Sequence, residues 1–335
     1  MNRPADAAAP HAADAPRLAH DPAVPRTVFV APRRAARPID VVGGAAATDC
    51  PFCAGHEHLT PDEVLRSPGG DAVTWTARII PNRYPVVEAF APSGSAAAGA
   101  AHGVHEVLVE SPAHHTSILE IDPAAWRGAW ELCVQRLEQL ARRGDLAWTT
   151  VFKNSGPAAG ASLAHVHSQL VGLAFVPPLA AAELAAAHGS VDPFAELLAA
   201  AAADGRIVAT QDGLVALVPP APRQPYETWI LPRDPRPHLH ADGGAVGSLA
   251  DLTRLVVGRL ERLVPGADYN WWLHQAPLST RQEGPPAAPG AVVPRRWHWH
   301  LEILPRLSGF AGFELATGCH ITTTGAVESA RRLRG

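Results

Sequence analysis

The chain of 335 residues has few of the features that would tie a protein to an oxidising compartment, a membrane or a nucleic acid. It contains four cysteines, too few for a disulfide framework in a chain of this length, so we expect a reducing, cytoplasmic setting. It has no uninterrupted apolar run long enough to cross a bilayer. The net charge is -4, and no dense block of lysine and arginine is present, which argues against binding a nucleic acid polymer.

The composition instead favours a folded protein with a sizeable core, because 47% of the residues are hydrophobic. Residues 1–26 are rich in alanine, proline and aspartate and lack a continuous apolar stretch. We expect them to form a disordered tail and not a secretory signal. The first ordered element is then expected at "RTVFVAP", which reads as a strand.

The rest of the chain shows an internal repeat. In each half two strands precede a helix and two more strands follow it, and "HVHSQ" of the first half has "HWHLE" as its counterpart in the second. Tyr226-Glu227 are expected where His105-Glu106 stand in the first half, in the strand "HEVLVES", whose alternation predicts a half-buried strand. The sequence therefore predicts an α+β fold with halves at 27–175 and 206–335, joined by an alanine-rich helical connection at 176–205.

Two histidines, His165 and His167, follow the small-residue segment "NSGPAAGAS". Residues two apart in a strand point to the same face, so these rings would stand side by side. Small side chains let backbone N–H groups approach an oxyanion, and Asn154 and Ser162 add neutral donors. The alternative is a pair of histidines on a polar sheet face. The preceding loop and the following Gln169 favour a nucleophile beside a phosphate-binding loop.

The motif "CPFC" supplies Cys50 and Cys53, which are half of a zinc site. No second C-x-x-C exists, so the remaining ligands should be histidines. The candidates are His165, one of His114 and His115, and the nearby His56 and His58. A redox pair is the alternative, but that motif should follow a strong strand, whereas the Gly/Ala-rich residues 43–49 precede this one.

Two further groups of polar residues could bind ligands. His298 and His300 share a strand face, and with Glu183 and His274 they could bind a second metal through nitrogen and carboxylate ligands; packing among tryptophans is the alternative. Arg34, Arg37 and Asn82 lie near strand ends and could bind phosphates and a base or ribose. The alternative is that they are solvated surface groups.

Taken together, these motifs resemble the galactose-1-phosphate uridylyltransferase family of the histidine-triad superfamily. The resemblance runs from about Thr27 to the C-terminus and rests, in family order, on "APRRAARP", "CPFC", "IPNRYP", "SPAH", "NSGPAAGASLAHVHSQ", "WLHQAP" and "HWHLEILPR". It implies two tandem histidine-triad-like halves, each an antiparallel sheet with helices packed on it. It also implies a homodimer.

The resemblance further implies roles for particular residues. His167 would be the nucleophile, and Gln169 would hydrogen-bond the phosphoryl oxygens. A structural zinc would be held by Cys50, Cys53, His114 and His165. A possible second zinc or iron would be held by Glu183, His274, His298 and His300. Nucleotide- and phosphate-contacting positions would be Arg34, Arg37, Asn82, Asn154 and Ser162, with Glu314 contacting the hexose.

The implied activity is transfer of a nucleoside monophosphate, UMP in the best-known members, between a nucleotide sugar and a hexose 1-phosphate. It would proceed by ping-pong kinetics through a nucleotidyl-histidine. Two features depart from those members. His320 stands near the place of a glutamine, and "HWHLEILPR" resembles the branch that includes ADP-glucose phosphorylases.

Three alternative functions therefore remain at the level of the sequence. The first is an adenylyltransferase that uses phosphate as acceptor. The second is a hydrolase, which Gln169 disfavours because water-accepting relatives commonly carry a third histidine there. The third is a non-catalytic, zinc-stabilised nucleotide-binding protein, which the intact H-x-H-x-Q motif argues against.

Overall fold

A computed structural model of the chain describes residues 15–21, 26–37, 50–67, 75–89, 100–278 and 296–335. Residues 1–14 of the expected tail and the Gly/Ala-rich residues 43–49 lie outside the described residues. Residues 17–21, which the sequence placed in the disordered tail, form strand β1 (Arg17–Asp21). This strand pairs antiparallel with β2 (Arg26–Val30), and Leu18 and Phe29 pack against a buried apolar cluster. The ordered chain thus begins earlier than "RTVFVAP" because β1 completes a hairpin.

The other described strands form one antiparallel sheet of ten strands. Its order is β3-β4-β5-β7-β6-β11-β12-β10-β9-β8. The strand bounds are β3 (Leu65–Arg66), β4 (Arg78–Pro81), β5 (Gly103–Val109), β6 (Trp148–Ser155), β7 (His167–Leu173), β8 (Ile207–Gln211), β9 (Leu214–Leu217), β10 (Thr228–Pro232), β11 (Tyr269–His274) and β12 (His300–Pro305).

Six α-helices lie in the described part of the chain: α1 (Pro123–Ala141), α2 (Pro178–Ala187), α3 (Pro193–Ala203), α4 (Val246–Leu263), α5 (Gly312–Thr317) and α6 (Ala326–Arg334). Helix α1 begins where the sequence predicts, because the Asp122 carboxylate accepts hydrogen bonds from the N–H groups of Ala124 and Ala125 at 2.9 and 3.2 Å. Its apolar stripe packs against α4 in the main core. None of these helices has both the length and the hydropathy of a membrane-crossing segment.

The sheet shows the internal repeat directly. Strands β4-β5-β7-β6 of the first half are mirrored by β9-β10-β12-β11 of the second, and β6 pairs with β11 where the halves meet. The α+β fold of two histidine-triad-like halves is therefore confirmed.

The pairing register corrects one detail of the repeat. Val107 lies opposite Gln169, and Trp229 lies opposite Glu302. Because Gln169 and Glu302 are equivalent in the two H-x-H motifs, Glu227 is the counterpart of His105. The equivalence of Tyr226-Glu227 with His105-Glu106 is thus wrong by one residue.

Strand β5 is buried along its whole length, contrary to the half-buried strand that its alternation predicts. It lies between β4 and β7, and the sheet is covered by α1 on one face. On the other face the side chain of Val107 lines a cavity together with His167 and Gln169 of β7. This face carries the chemistry described below.

Candidate functional site

The cavity on this face has a volume of about 560 Å³. Its wall brings together Arg37, Asn82, Ser162, His167 and Gln169, which the sequence proposes as site residues. Phe52 of the "CPFC" motif adds an apolar surface, with its ring centroid 5.4 Å from that of His167. The arrangement of a largely apolar wall with a few convergent polar groups is typical of a small-molecule site.

The small-residue loop reaches the cavity at Ser162. Gly156 and Gly160 adopt φ angles of 85° and 80°, which non-glycine residues rarely reach. Asp268 holds the loop from the neighbouring half by accepting a hydrogen bond from the backbone N–H of Ala158 at 2.6 Å. Asn270 donates from Nδ2 to the carbonyl of Ala159 at 2.8 Å. The loop is thus fixed before any ligand arrives.

His167 opens strand β7 and is buried. Its Nδ1 lies 2.8 Å from the carbonyl oxygen of His165, which can only accept, so Nδ1 carries the hydrogen and Nε2 keeps a free lone pair. Burial lowers the pKa of His167 to about 4, against the opposing effect of the hydrogen bond to His165. The ring is therefore neutral near pH 7 and can act as a nucleophile.

A buried ion pair lies behind this nucleophile. Lys153 donates from Nζ to the carboxylate of Glu110 and, at 2.8 Å, to the carbonyl of His167. Ser168 donates its hydroxyl to the same carboxylate. Burial lowers the pKa of Lys153, and Glu110 acts in the opposite direction. Since each charge has its partner and further hydrogen bonds, the network holds the carbonyl of His167 and the side chain of Ser168 in place.

Gln169 is held by two neighbours. His105 lies 3.0 Å from it, Nε2 to Oε1, and the Asn82 amide donates to the same oxygen at 3.4 Å. Asn82 is itself oriented, because its Oδ1 accepts a hydrogen bond from the backbone N–H of Tyr84 at 2.8 Å. Burial lowers the pKa of His105 to about 4.

The first metal cluster, defined as Cys50, Cys53, His114 and His165, has its four ligand atoms within 4.8 Å of one another. His165 Nδ1 faces both thiols at 3.5 and 3.6 Å, and its Nε2 donates to the carbonyl of Ser111 at 2.9 Å. Burial, and then the nearby Cys50, raise the pKa of the Cys53 thiol to about 11, so a nearby cation would be needed to hold Cys53 as a thiolate near neutral pH. Two thiolates and two imidazoles are a donor set that fits zinc.

The structure separates the two candidate histidines of "SPAHH". His114 points inward, with Nδ1 3.4 Å from Cys53 Sγ. His115 points away, with Nδ1 3.5 Å from the carboxylate of Glu120. The nearby His56 donates from Nδ1 to the carbonyl of Cys50 at 2.7 Å and supports the ligand loop without joining the cluster.

The second metal cluster is Glu183, His274, His300 and Glu302, again with ligand atoms within 4.8 Å. Three of these were expected, but Glu302 stands in the group where His298 was expected. His298 donates from Nδ1 to the carbonyl of Pro232 at 2.8 Å, which turns its Nε2 toward Asp192 at 3.6 Å. Burial acts to raise the pKa of Glu302, but His300, whose Nε2 lies 3.6 Å from Oε1, and the nearby Arg223 lower it to about 2.

The remaining proposed contacts lie around the cavity or away from it. Arg34 donates to the carbonyl of Tyr84 at 2.8 Å, and Arg37 donates to the carbonyl of Gly160 at 3.3 Å. Asn154 accepts from Asn270 at 2.8 Å and lines a neighbouring depression. Glu314 lies on α5, where its carboxylate accepts from the N–H of Ala311 at 3.0 Å, and it does not line this cavity.

Sequence reasoning missed His105, Lys153 and Glu110. The alternation in "HEVLVES" places His105 and Val107 on one strand face, but only the pairing of Val107 with Gln169 in the structure shows that this face meets the nucleophile strand. Lys153 and Glu110 gave no signal in the sequence, since a single lysine and a single glutamate 43 residues apart along the chain do not indicate that they pair.

The comparisons with known proteins agree with this geometry. Residues 75–177 match the galactose-1-phosphate uridyl transferase N-terminal domain. The chain is 31% identical to ADP-glucose phosphorylase of Arabidopsis thaliana, covering 95% of this chain and 92% of that protein. It is 26% identical to galactose-1-phosphate uridylyltransferase of Thermotoga maritima, covering 95% and 97%. The crystal structure of an Arabidopsis thaliana ADP-glucose phosphorylase with bound ADP-glucose superposes with a TM-score of 0.73, covering 96% of this chain and 99% of that chain.

Proposed function

Since this chain belongs to the galactose-1-phosphate uridylyltransferase family, we propose that it transfers a nucleoside monophosphate from a nucleotide sugar through a covalent bond to His167. One observation carries the proposal. The Nδ1–H group of His167 is tied to the carbonyl of His165 at 2.8 Å, so Nε2 is the atom left to attack. It does so in a cavity shared with Gln169 and Ser162.

The chemistry follows from a neutral imidazole beside donors for phosphoryl oxygens. His167 Nε2 forms a bond to the α-phosphorus, the bond to the sugar phosphate oxygen breaks, and the electron pair leaves with the sugar 1-phosphate. The carbonyl of His165 stabilises the positive charge that develops on the ring. Gln169, Ser162 and the N–H groups of the loop stabilise charge on the equatorial oxygens. A second acceptor then takes the nucleotidyl group by the reverse of this step.

We propose adenylyl transfer to inorganic phosphate as the first specific activity. It is supported by the 31% identical relative, an ADP-glucose phosphorylase, which this chain matches over 92% of that protein's length. Uridylyl transfer to a hexose 1-phosphate is the second candidate. It is supported by the Thermotoga maritima relative, a galactose-1-phosphate uridylyltransferase that is 26% identical.

The first metal cluster would hold a zinc ion whose role is structural. It would fix the ring of His165, whose carbonyl in turn holds the ring of His167. We also propose a homodimer, which the family resemblance implies. Phe313 and Leu315 on α5 expose 53% and 79% of their surface and are available to such an interface.

The proposal is tested by incubating the purified protein with ADP-glucose and, separately, with UDP-glucose, without any acceptor, and measuring the intact mass. We expect an adenylyl adduct with ADP-glucose that His167→Ala abolishes and that inorganic phosphate discharges as ADP. A uridylyl adduct discharged by hexose 1-phosphate would establish the second candidate instead.

A matched control separates the nucleophile from the fold. His240 is another histidine whose pKa burial lowers to about 4, and it lies outside the cavity. His240→Ala should therefore keep the adduct. Absence of an adduct with both donors in metal-loaded protein would contradict the proposed mechanism.

A further inference from the structure

His105 lies next to Gln169, behind the residues that line the cavity. We propose that His105 is a positioning residue, which fixes the Gln169 amide so that its N–H groups face the transferring phosphoryl group. This inference rests on the proposed function, because His105 would act in the step that transfers the nucleotidyl group onto His167.

The backbone determines which nitrogen of His105 carries the hydrogen. The N–H of Val86 donates to Nδ1 at 3.1 Å, so Nδ1 must be unprotonated. A neutral ring then carries its hydrogen on Nε2. His105 is buried with no carboxylate among the groups that hydrogen-bond it, and burial lowers its pKa to about 4, so the ring is neutral in the working range of pH. Nε2 therefore carries the hydrogen in the neutral ring. The amide nitrogen of Asn82 lies 3.1 Å from Nε2 but cannot donate to it in this tautomer, so Asn82 donates to Gln169 instead.

Two donors consequently meet one atom of Gln169. Nε2 of His105 lies 3.0 Å from Oε1, and Nδ2 of Asn82 lies 3.4 Å from it. Asn82 cannot turn its oxygen to this place without losing the 2.8 Å hydrogen bond from the Tyr84 N–H. A flipped Gln169 would bring its NH₂ group against these donors. The Oε1 atom of Gln169 is thus held on the His105 side, and the NH₂ group of Gln169 faces the cavity.

This orientation matters because phosphoryl oxygens accept hydrogen bonds and carry negative charge. An amide NH₂ group stabilises that charge, whereas an amide oxygen would repel it. The second half of the chain provides a contrast at equivalent positions. There Glu227 and Glu302 replace His105 and Gln169, and Arg223 contacts both carboxylates. Carboxylates at these positions suit a metal or an ion pair and would repel a phosphate.

The test uses two substitutions that differ in which ring nitrogen they imitate. In His105→Gln the side-chain amide reaches the place of Nε2 and can donate to Gln169. In His105→Asn the shorter amide reaches only the place of Nδ1, so it can accept from Val86 but cannot reach Gln169. Both are made in the full-length, metal-loaded protein, alone and combined with Gln169→Leu. The rate of nucleotidyl-histidine formation is measured by rapid quench at saturating ADP-glucose, or UDP-glucose if that donor labels the wild type.

We expect His105→Asn to slow this step by about 10- to 100-fold, as for a misplaced or lost transition-state donor, and His105→Gln to stay close to wild type. In the Gln169→Leu background neither substitution should slow it further. Equal rates for His105→Asn and His105→Gln, or an undiminished effect of His105→Asn without Gln169, would overturn the inference while the proposed function stands. A wild-type protein that forms no adduct would instead remove the proposed function and this inference with it.

Discussion

Lys153 donates from Nζ to the carbonyl oxygen of His167 at 2.8 Å, so the backbone of the nucleophile is held by a buried cation. The same ammonium pairs with Glu110, whose carboxylate also accepts from Ser168. Lys153 exposes 2% of its surface and Glu110 exposes 1%. Neither charge can be solvated by water if its partner is removed.

Lys153→Met is therefore expected to lower the free energy of unfolding by about 3–5 kcal/mol, because it leaves the Glu110 carboxylate buried without a partner. It should also slow formation of the nucleotidyl-histidine, because the carbonyl of His167 loses its donor. Urea denaturation followed by fluorescence measures the first effect, and intact mass against time measures the second.

The double variant Glu110→Leu with Lys153→Met is the control for this pair. Replacing both members of a buried ion pair by apolar residues is often nearly neutral. The double variant should thus be more stable than Lys153→Met alone. Equal stability of the two variants would show that the unpaired Glu110 carboxylate is not the cause of the loss of stability in Lys153→Met.

The glycines of the small-residue loop allow a matched comparison. Gly156 and Gly160 have φ angles of 85° and 80°, but a Cβ on Gly156 would lie 1.7 Å from Oδ1 of Asp268, whereas one on Gly160 meets nothing within 4 Å. Gly160→Ala should cost only the strain of the left-handed backbone, about 1–2 kcal/mol. Gly156→Ala should cost more and should also slow nucleotidyl transfer, since Asp268 would release the N–H of Ala158.

Thermal unfolding and the rate of adduct formation, measured on both variants, check this comparison. The same loss in Gly156→Ala and Gly160→Ala would mean that backbone strain alone decides the effect, and that Asp268 does not hold the loop.

Removal of the first metal cluster should reduce both stability and activity. In Cys50→Ala the cluster loses one of its two thiolates. The hydrogen bond from His56 to the backbone carbonyl of residue 50 can still form, so the change is confined to the metal ligand. We expect the protein to lose one equivalent of zinc, to unfold at lower temperature and to form the adduct more slowly, because His165 is no longer fixed.

Metal content by mass spectrometry and calorimetric unfolding test this prediction. Cys319→Ser is the matched control, because Cys319 is exposed and lies outside the cluster. It should keep the metal and the unfolding temperature. Wild-type zinc content in Cys50→Ala would contradict the assignment of this ligand.

The stability of the fold should depend on the neutrality of His105. Burial, and then the nearby Arg34 and Arg37, lower its pKa from an unfolded value near 6.5 to about 4. Between these two values the unfolded chain binds the proton and the folded chain does not, so the free energy of unfolding falls as pH decreases. Above pH 6.5 this contribution to stability is fully present.

His105→Gln removes this titration, so the free energy of unfolding should fall less steeply between pH 6.5 and 4 than in wild type. The slopes should differ by at most about 1.4 kcal/mol per pH unit. Urea denaturation at several pH values measures both slopes. Since the other buried histidines are the same in both proteins, parallel slopes would mean that His105 titrates normally in the folded state.

Much of the fold could be predicted because its signals are local. Helix α1 begins at an Asp-Pro pair and carries apolar residues at helical spacing, and the bounds of the structure agree. The two H-x-H motifs reveal the repeat because each of them is also a short, local pattern in the sequence. Strand β1 was missed because it is short and pairs mainly with another short strand, β2. Strand β5 looked half-buried because alternation within one strand does not show that apolar clusters cover both of its faces.

The sequence by itself determined which chemical groups are present and which are neighbours along the chain, including Cys50 with Cys53 and His165 with His167 with Gln169. Tertiary structure alone decided which distant groups meet. It placed the ring of His114, which the family resemblance had favoured, beside Cys53, grouped Glu302 and not His298 with Glu183, His274 and His300, and set His105 and Lys153 behind the nucleophile strand. The physical reason is that strand pairing register and burial assign each side chain its partners, and neither is encoded in local spacing.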